Sequence, residues 1–219
     1  MEERTAFLPS RDGLRFSNAW PPGPAVSVRT PLGRVGIGNA ARGLCGGMVF
    51  AALDYWRTGQ TPPPARPGPD DPLFRFIVRR LIDSWHVPWG VLRYYRWMRT
   101  PDQDLLRQRT VAAMWPQVKH RIDTGRPAPL GVVTVASANP LLIGHNHQVL
   151  CYGYQTEGSQ VRLAVYDPNS GPDDAVLISF DPVQSGDPEF THNLNIGWPV
   201  RAFFLTRYSP AQPPGAPTR

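Results

Sequence analysis

Gly43-Leu44-Cys45-Gly46-Gly47-Met48 is the stretch that decides the fold, because this glycine-flanked turn leads into the apolar segment 49–56. Between residues 48 and 57, apolar side chains fall on nearly every face of a helix, which is typical of a buried helix. The first backbone N–H groups of a helix have no partner within it, and the helix dipole is positive at that end. A cysteine placed there is favoured as the thiolate, the form that attacks carbonyl carbons.

The pair Gly46-Gly47 indicates a close approach to the backbone at the start of this helix. Each glycine in a first turn costs about 0.5–1 kcal/mol relative to alanine, so two in a row need a reason. Either a substrate or a neighbouring strand would supply it. The alternative for Cys45 is a small buried residue in a tight helix start.

The order of elements predicts an α+β fold. The first forty residues read as loop with one hairpin, and the proline-rich segment 61–72 reads as a surface loop. Helices are predicted over 73–83, 89–99 and 102–123, the last of them broken or kinked near Pro116. β-rich runs follow at 130–136, 147–154, 161–167, 175–180 and 199–208. We expect one domain over 1–208, with its helical part at about 45–125, its sheet part at about 126–208, and a disordered tail over 209–219.

The amino-acid composition limits which cellular compartment and which partners we expect for the protein. The chain has 219 residues and only two cysteines, which predicts free thiols and not a disulfide framework. It contains no run of about 18 apolar residues, and its start lacks the pattern of a secretory signal. We therefore expect a cytoplasmic protein without a transmembrane segment, and secretion that needs no cleaved signal stays open.

His147 and Asp167 could complete a nucleophile, base and orienter arrangement with Cys45. His147 opens one predicted strand, and Asp167 closes the next. If these strands form a hairpin, the start of one and the end of the other meet at the same sheet edge, where a carboxylate can fix the imidazole tautomer. Asn169, in the turn that follows, is an alternative orienter. The competing interpretation is that His147 and Asp167 have only a structural role in the turns next to these strands.

These stretches resemble the papain-like cysteine peptidases, in particular the bacterial branch similar to bacteriocin-leader peptidases. Gly43 to Gly47 before a helix, His147 heading HQVLCYGY, and the strand ending Tyr166-Asp167-Pro168 carry the likeness over about residues 36–206. The resemblance implies a papain-like fold in which a central N-terminal helix packs on a mostly antiparallel sheet, with a helical insertion. It also implies Cys45 as nucleophile, His147 as base and Asp167 as orienter.

The same resemblance implies an amide side chain six positions before the cysteine, normally glutamine, that helps to bind the oxyanion. Asn39 stands at that position and is one methylene shorter. We also expect Gly46, Gly47 and His145 to contact substrate. The leading hypothesis is a thiol hydrolase of a peptide, isopeptide or other acyl bond that needs no cofactor. Two alternatives remain, an acyl transferase of transglutaminase-like type and a catalytically degenerate papain-like binding protein.

A metal site is the less favoured interpretation of the histidines. His145 and His147 would face the same way on a strand, with Cys151 on that side, but no fourth ligand has suitable spacing. The sequence therefore predicts no metal.

The helix predicted over 89–99 belongs to the basic part of the chain, since residues 71–126 carry a net charge of +6. Arg93, Arg96 and Arg99 recur at every third position, which places a cationic stripe on a helix otherwise rich in aromatic residues. A solvated stripe is one interpretation. A partner protein or an acidic surface is another, and no recognisable nucleic-acid-binding motif is present.

Overall fold

A computed structural model of the protein describes residues 1–20, 26–30, 33–37, 43–183, 190–194 and 199–215. The α+β prediction is confirmed, because helices precede a curled antiparallel sheet. The helices are α1 (Pro9–Asp12), α2 (Cys45–Thr58), α3 (Pro72–Trp85), α4 (Trp89–Met98), α5 (Gln103–Gln108) and α6 (Trp115–Asp123), with a π-helical segment at Arg109–Met114 and a 3-10 helix at Pro140–His145. The strands are β1 (Glu2–Arg4), β2 (Val26–Thr30), β3 (Gly33–Ile37), β4 (Ala128–Val133), β5 (His147–Glu157), β6 (Gln160–Tyr166), β7 (Leu177–Phe180), β8 (Thr191–His192) and β9 (Ala202–Leu205).

The main sheet runs in the order β8-β7-β6-β5-β4-β9, and β1 pairs with the far end of β5. All of these pairs are antiparallel, and β2 and β3 form a separate hairpin. β5 pairs with three strands, β1, β4 and β6. Its first residue, His147, pairs with Val132 of β4, and Leu150 pairs with Tyr166, the last residue of β6. The start of β5 and the end of β6 therefore meet at one edge of the sheet.

The sheet is covered on both faces. α2 packs with apolar side chains that include Phe50 and Leu53 against Leu150 and Tyr152 of β5. On the other face, α6 and the π-helical segment cover a second cluster, whose members include Val118, Ile122, Val149, Leu163 and Phe203. Because α2 is buried along nearly its whole length, its start is fixed against the sheet.

Gly46 and Gly47 are required by helix packing. A methyl group added at Gly47 would lie 2.1 Å from the carbonyl oxygen of Ile77 in α3, and one at Gly46 would lie 2.3 Å from the Ser84 hydroxyl. Both distances are far shorter than van der Waals contact. The approaching element is mainly a helix and not the strand that was expected: α3 packs against both glycines, and β5 contributes only the side chain of Gln148 at Gly46.

The helix predicted over 102–123 is interrupted near Pro116, as expected. α5 ends at Gln108, the π-helical segment follows, and α6 begins at Trp115 with the proline in its first turn. A proline within a helix has no N–H to donate, and its ring crowds the carbonyl four residues earlier, which favours a wider turn just before it.

Two features of the chain ends differ from the sequence-based expectation. β1 and α1 lie within the segment expected to be loop, and they are too short to show a periodic pattern. The described part of the predicted disordered tail, 209–215, is held against α2 and α3. The buried Asp54 carboxylate accepts from the Ala211 N–H at 2.9 Å, and Arg80 donates to the Ser209 carbonyl at 2.7 Å. Proline-rich composition predicts a lack of regular structure, but it gives no signal for such long-range anchors.

In the ranges that the structure describes, no helix combines the length and the apolar composition needed to cross a membrane.

The close packing at Gly47 makes a testable prediction for stability. Gly47→Ala should lower the free energy of unfolding by about 1–3 kcal/mol, because the added methyl group pushes α2 away from the backbone of α3. Urea denaturation followed by circular dichroism measures this loss. The matched control is Gly144→Ala, where an added methyl group meets nothing within 4 Å. Equal stability of the Gly47→Ala variant and the wild type would contradict this account of the packing.

Candidate active site

Cys45 is the first residue of α2 and is almost completely buried, with 8% of its surface exposed. The turn before it is held by Asn18, whose Oδ1 accepts from the Leu44 N–H at 2.7 Å. Gly43 has a φ of +95°, a conformation that favours glycine, and an added methyl group there would collide with the Asn18 side chain. Asn18 also donates from Nδ2 to Oδ1 of Asn169 at 3.0 Å. It therefore joins the start of α2 to the turn after β6.

His147 and Asp167 are brought together at the sheet edge. His147 is the first residue of β5, and Asp167 directly follows β6. Nε2 of His147 lies 2.8 Å from Oδ1 of Asp167, and both residues are buried. A carboxylate accepts and does not donate, so Nε2 carries the proton of this hydrogen bond.

The same imidazole also interacts with Cys45. The Cys45 side chain lies close enough to the His147 ring to raise the pKa of the imidazole. Since Nε2 is bound to Asp167, Nδ1 is the ring nitrogen that remains for an interaction with the sulfur. The backbone of His147 is held as well, because the buried Tyr94 hydroxyl donates to the His147 carbonyl oxygen at 3.1 Å.

The charges in the site support a protonated imidazole. Burial lowers the pKa of His147. The negative charge of Asp167 and the interactions with Asp167 and Cys45 raise it by more than burial lowers it, so the pKa lies well above its ordinary value of 6.5. For Asp167, burial raises the pKa, and the charge of His147 together with three hydrogen-bond donors outweighs burial. The pKa of Asp167 is therefore lowered, and this buried carboxyl group is ionised.

A second histidine, His192 in β8, binds the other oxygen of Asp167. Its Nε2 lies 3.1 Å from Oδ2, and its Nδ1 accepts from the Leu194 N–H at 3.3 Å. A ring nitrogen that accepts a hydrogen bond from a backbone N–H carries no proton, so the proton that His192 donates to Oδ2 is on Nε2. With the Asn169 N–H on Oδ1 at 2.8 Å, the carboxylate has three donors.

His192 is a site residue that sequence reasoning missed. β8 has only two residues, and its neighbours give no alternating pattern that would predict a strand. The one available signal is indirect. A buried carboxylate has about four lone-pair positions to satisfy, so an aspartate predicted at a buried strand end should attract donors beyond one histidine.

Asn169 does not orient His147. Its side-chain oxygen accepts from Asn18, and only its backbone N–H reaches Asp167. The aspartate stands nearer the imidazole because it directly follows the last β6 residue, Tyr166, which pairs with Leu150. Asn169 lies two residues further on in the turn.

The residues expected to contact substrate have other surroundings. Gly46 and Gly47 are buried, and the sides on which a Cβ would stand are filled by α3 and Gln148. His145 ends the 3-10 helix and is not part of β5, so it does not share a strand face with His147. Its carbonyl oxygen accepts from the Thr134 hydroxyl at 3.1 Å.

Asn39, the expected oxyanion donor, lies outside the described residues. Among those that are described, no group of three or more histidine, cysteine, aspartate or glutamate side chains is placed to hold a metal ion. Cys151 belongs to the core beneath the sheet, and burial raises the pKa of its thiol to about 12. Both cysteines are free thiols, and only Cys45 contacts a histidine that is itself paired with a carboxylate.

Comparisons of the chain with protein-family models, with curated proteins and with solved structures find no match. The function is therefore argued from the geometry of the site.

The contact between His192 and Asp167 makes a testable prediction. His192→Ala should lower the free energy of unfolding by about 1–3 kcal/mol at neutral pH, because it leaves a buried carboxylate oxygen without its donor. His192→Gln retains an N–H donor and should recover part of that loss. Urea denaturation of both variants measures the difference. A His192→Ala variant as stable as the wild type would show that Oδ2 does not depend on this donor.

Proposed function

We propose that the protein is a thiol hydrolase of papain-like organisation that cleaves a peptide, isopeptide or other acyl bond. The observation that carries the proposal is the position of the His147 imidazole between the Asp167 carboxylate and the Cys45 thiol. A carboxylate that orients an imidazole base beside a thiol nucleophile is the arrangement that activates a cysteine for acyl chemistry.

The placement of Cys45 supports the same proposal. Its sulfur stands at the N-terminus of a 14-residue helix and beside an imidazole whose pKa is raised. Both surroundings place positive charge beside the sulfur, as the chemistry of a nucleophilic cysteine requires. In this reaction the thiolate forms a C–S bond to the acyl carbon, and His147 gives its proton to the leaving amine as the C–N bond breaks. Water then attacks the thioester while His147 takes a proton, which releases the acid and restores Cys45.

Hydrolysis and acyl transfer share the thioester and differ only in the acceptor. We favour hydrolysis because water is always present, whereas transfer also needs a bound amine. A transferase would form product from a thioester or amide substrate only when an amine is added.

The proposal predicts selective reactivity of one cysteine. Cys45→Ala should abolish covalent labelling by a peptide-based electrophile such as a peptidyl fluoromethyl ketone, whereas Cys151→Ala should be labelled at the wild-type rate. The difference arises because the pKa of the Cys151 thiol is raised to about 12, which leaves almost no thiolate at neutral pH. Intact-protein mass spectrometry over time measures both rates.

Equal labelling of the wild type and the Cys45→Ala variant would refute the assignment of Cys45 as nucleophile. Absence of labelling in the wild type, with the fold intact by circular dichroism, would instead favour a papain-like binding protein.

A further inference from the structure

Two adjoining hollows lie beside α4 and form what we call the basic groove. The inner hollow has a volume of about 220 Å³ and the outer one about 460 Å³, and they share Trp89 and Arg93. Arg207 and His86 border the inner hollow, and Arg96 and Arg109 border the outer one. Among the described residues, neither hollow is lined by an aspartate or a glutamate.

The arginines of the outer hollow are available to a ligand. In the part of the chain that the structure describes, neither Arg96 nor Arg109 forms an ion pair. Arg93 is different, because it lies over the Phe204 ring and donates to the Leu205 carbonyl oxygen at 3.0 Å. Arg99, the third member of the predicted stripe, stacks on Tyr95 and borders neither hollow. The π-helical segment supplies Arg109 in its place.

The groove also exposes large apolar side chains between its charges. Trp89 is 68% exposed and Leu92 is 45% exposed. Large exposed apolar side chains that are bordered by charges are typical of a binding site. Tryptophan and arginine are among the residues most often found at the centre of such sites. A ligand that is complementary to the groove is a segment that carries carboxylates next to an apolar side chain.

The inner end of the groove adjoins the candidate active site. Tyr94 and Ser84 line the inner hollow. Tyr94 donates to the His147 carbonyl oxygen, and Ser84 contacts both the Gly46 position in the first turn of α2 and Gln148. A chain that lies in the groove would therefore run beside the residues that hold Cys45 and His147.

We propose that the basic groove binds an acidic segment of the substrate, with carboxylates against Arg96 and Arg109 and an apolar side chain against Trp89 and Leu92. This inference rests on the proposed function, since it names the class of substrate as an acidic peptide. Because the hollows accept side chains and lead toward a nucleophile for acyl bonds, a peptide fits the groove better than nucleic acid or anionic lipid.

Binding is tested with the Cys45→Ala protein, which cannot react, and a short fluorescein-labelled peptide in which glutamates alternate with leucine and phenylalanine. Fluorescence anisotropy should show saturable binding that weakens with added salt. The same peptide with glutamine in place of glutamate should bind much more weakly. Adding Arg96→Gln and Arg109→Gln to the protein should weaken binding of the acidic peptide about tenfold.

The matched control removes two exposed arginines that border neither hollow, with Arg15→Gln and Arg126→Gln. It should bind the acidic peptide within about twofold of the parent, because the charge it removes lies away from the groove. Equal losses in the two double variants, or equal binding of the glutamate and glutamine peptides, would overturn the proposal. Binding of single-stranded DNA or phosphatidylserine vesicles that depends on Arg96 and Arg109, without peptide binding, would also overturn it.

The two proposals fail separately. If the protein binds the peptide with the predicted arginine dependence but Cys45 is not labelled, the proposal for the groove is supported and the proposal of a hydrolase is refuted. If Cys45 is labelled but the acidic peptide does not bind, the proposal of a hydrolase is supported and the proposal for the groove is refuted.

Discussion

The carboxylate of Asp167 is a fully buried charge, and the candidate site depends on how that charge is satisfied. A buried carboxylate is tolerated only when donors surround it. Here the donors come from the start of β5 (His147), the turn after β6 (Asn169) and β8 (His192). Pairing this one charge brings three separate segments to the same sheet edge. It also fixes the His147 ring through Nε2, beside Cys45 at the start of α2.

The nucleophile side of the site is fixed by a different constraint, close packing. Gly46 and Gly47 let α2 lie against α3, and the opposite side of the helix is buried on β5 and β6. Asn18 then ties the turn before α2 to the turn that follows Asp167. One side chain therefore joins the helix start to the turn that follows the carboxylate. Deep burial of the pair excludes water, which strengthens the electrostatic interaction between imidazole, thiol and carboxylate.

Much of this site could be predicted from local sequence pattern. Cys45, His147 and Asp167 each lie at the boundary of a helix or strand, and glycine, proline or β-branched residues nearby predict these boundaries. Hairpin geometry alone places His147 and Asp167 together. The contributions of Asn18, His192, Arg109 and the anchored tail could not be predicted. Each acts through a contact with residues far away in the chain, and no short-range period or turn signal encodes such a contact. The two glycines indicated a close approach, but the alternatives were a substrate and a neighbouring strand, and nothing in the local sequence pointed to α3.

The central claim is that Asp167 holds His147 as an imidazolium beside Cys45, and nitrogen NMR of the His147 ring as a function of pH tests it most directly. The account predicts that His147 titrates well above 6.5 in the wild type. It also predicts that Asp167→Asn lowers that midpoint, because the largest charge that raises it is removed. A wild-type midpoint at or below 6.5, unchanged in the Asp167→Asn protein, would contradict the account.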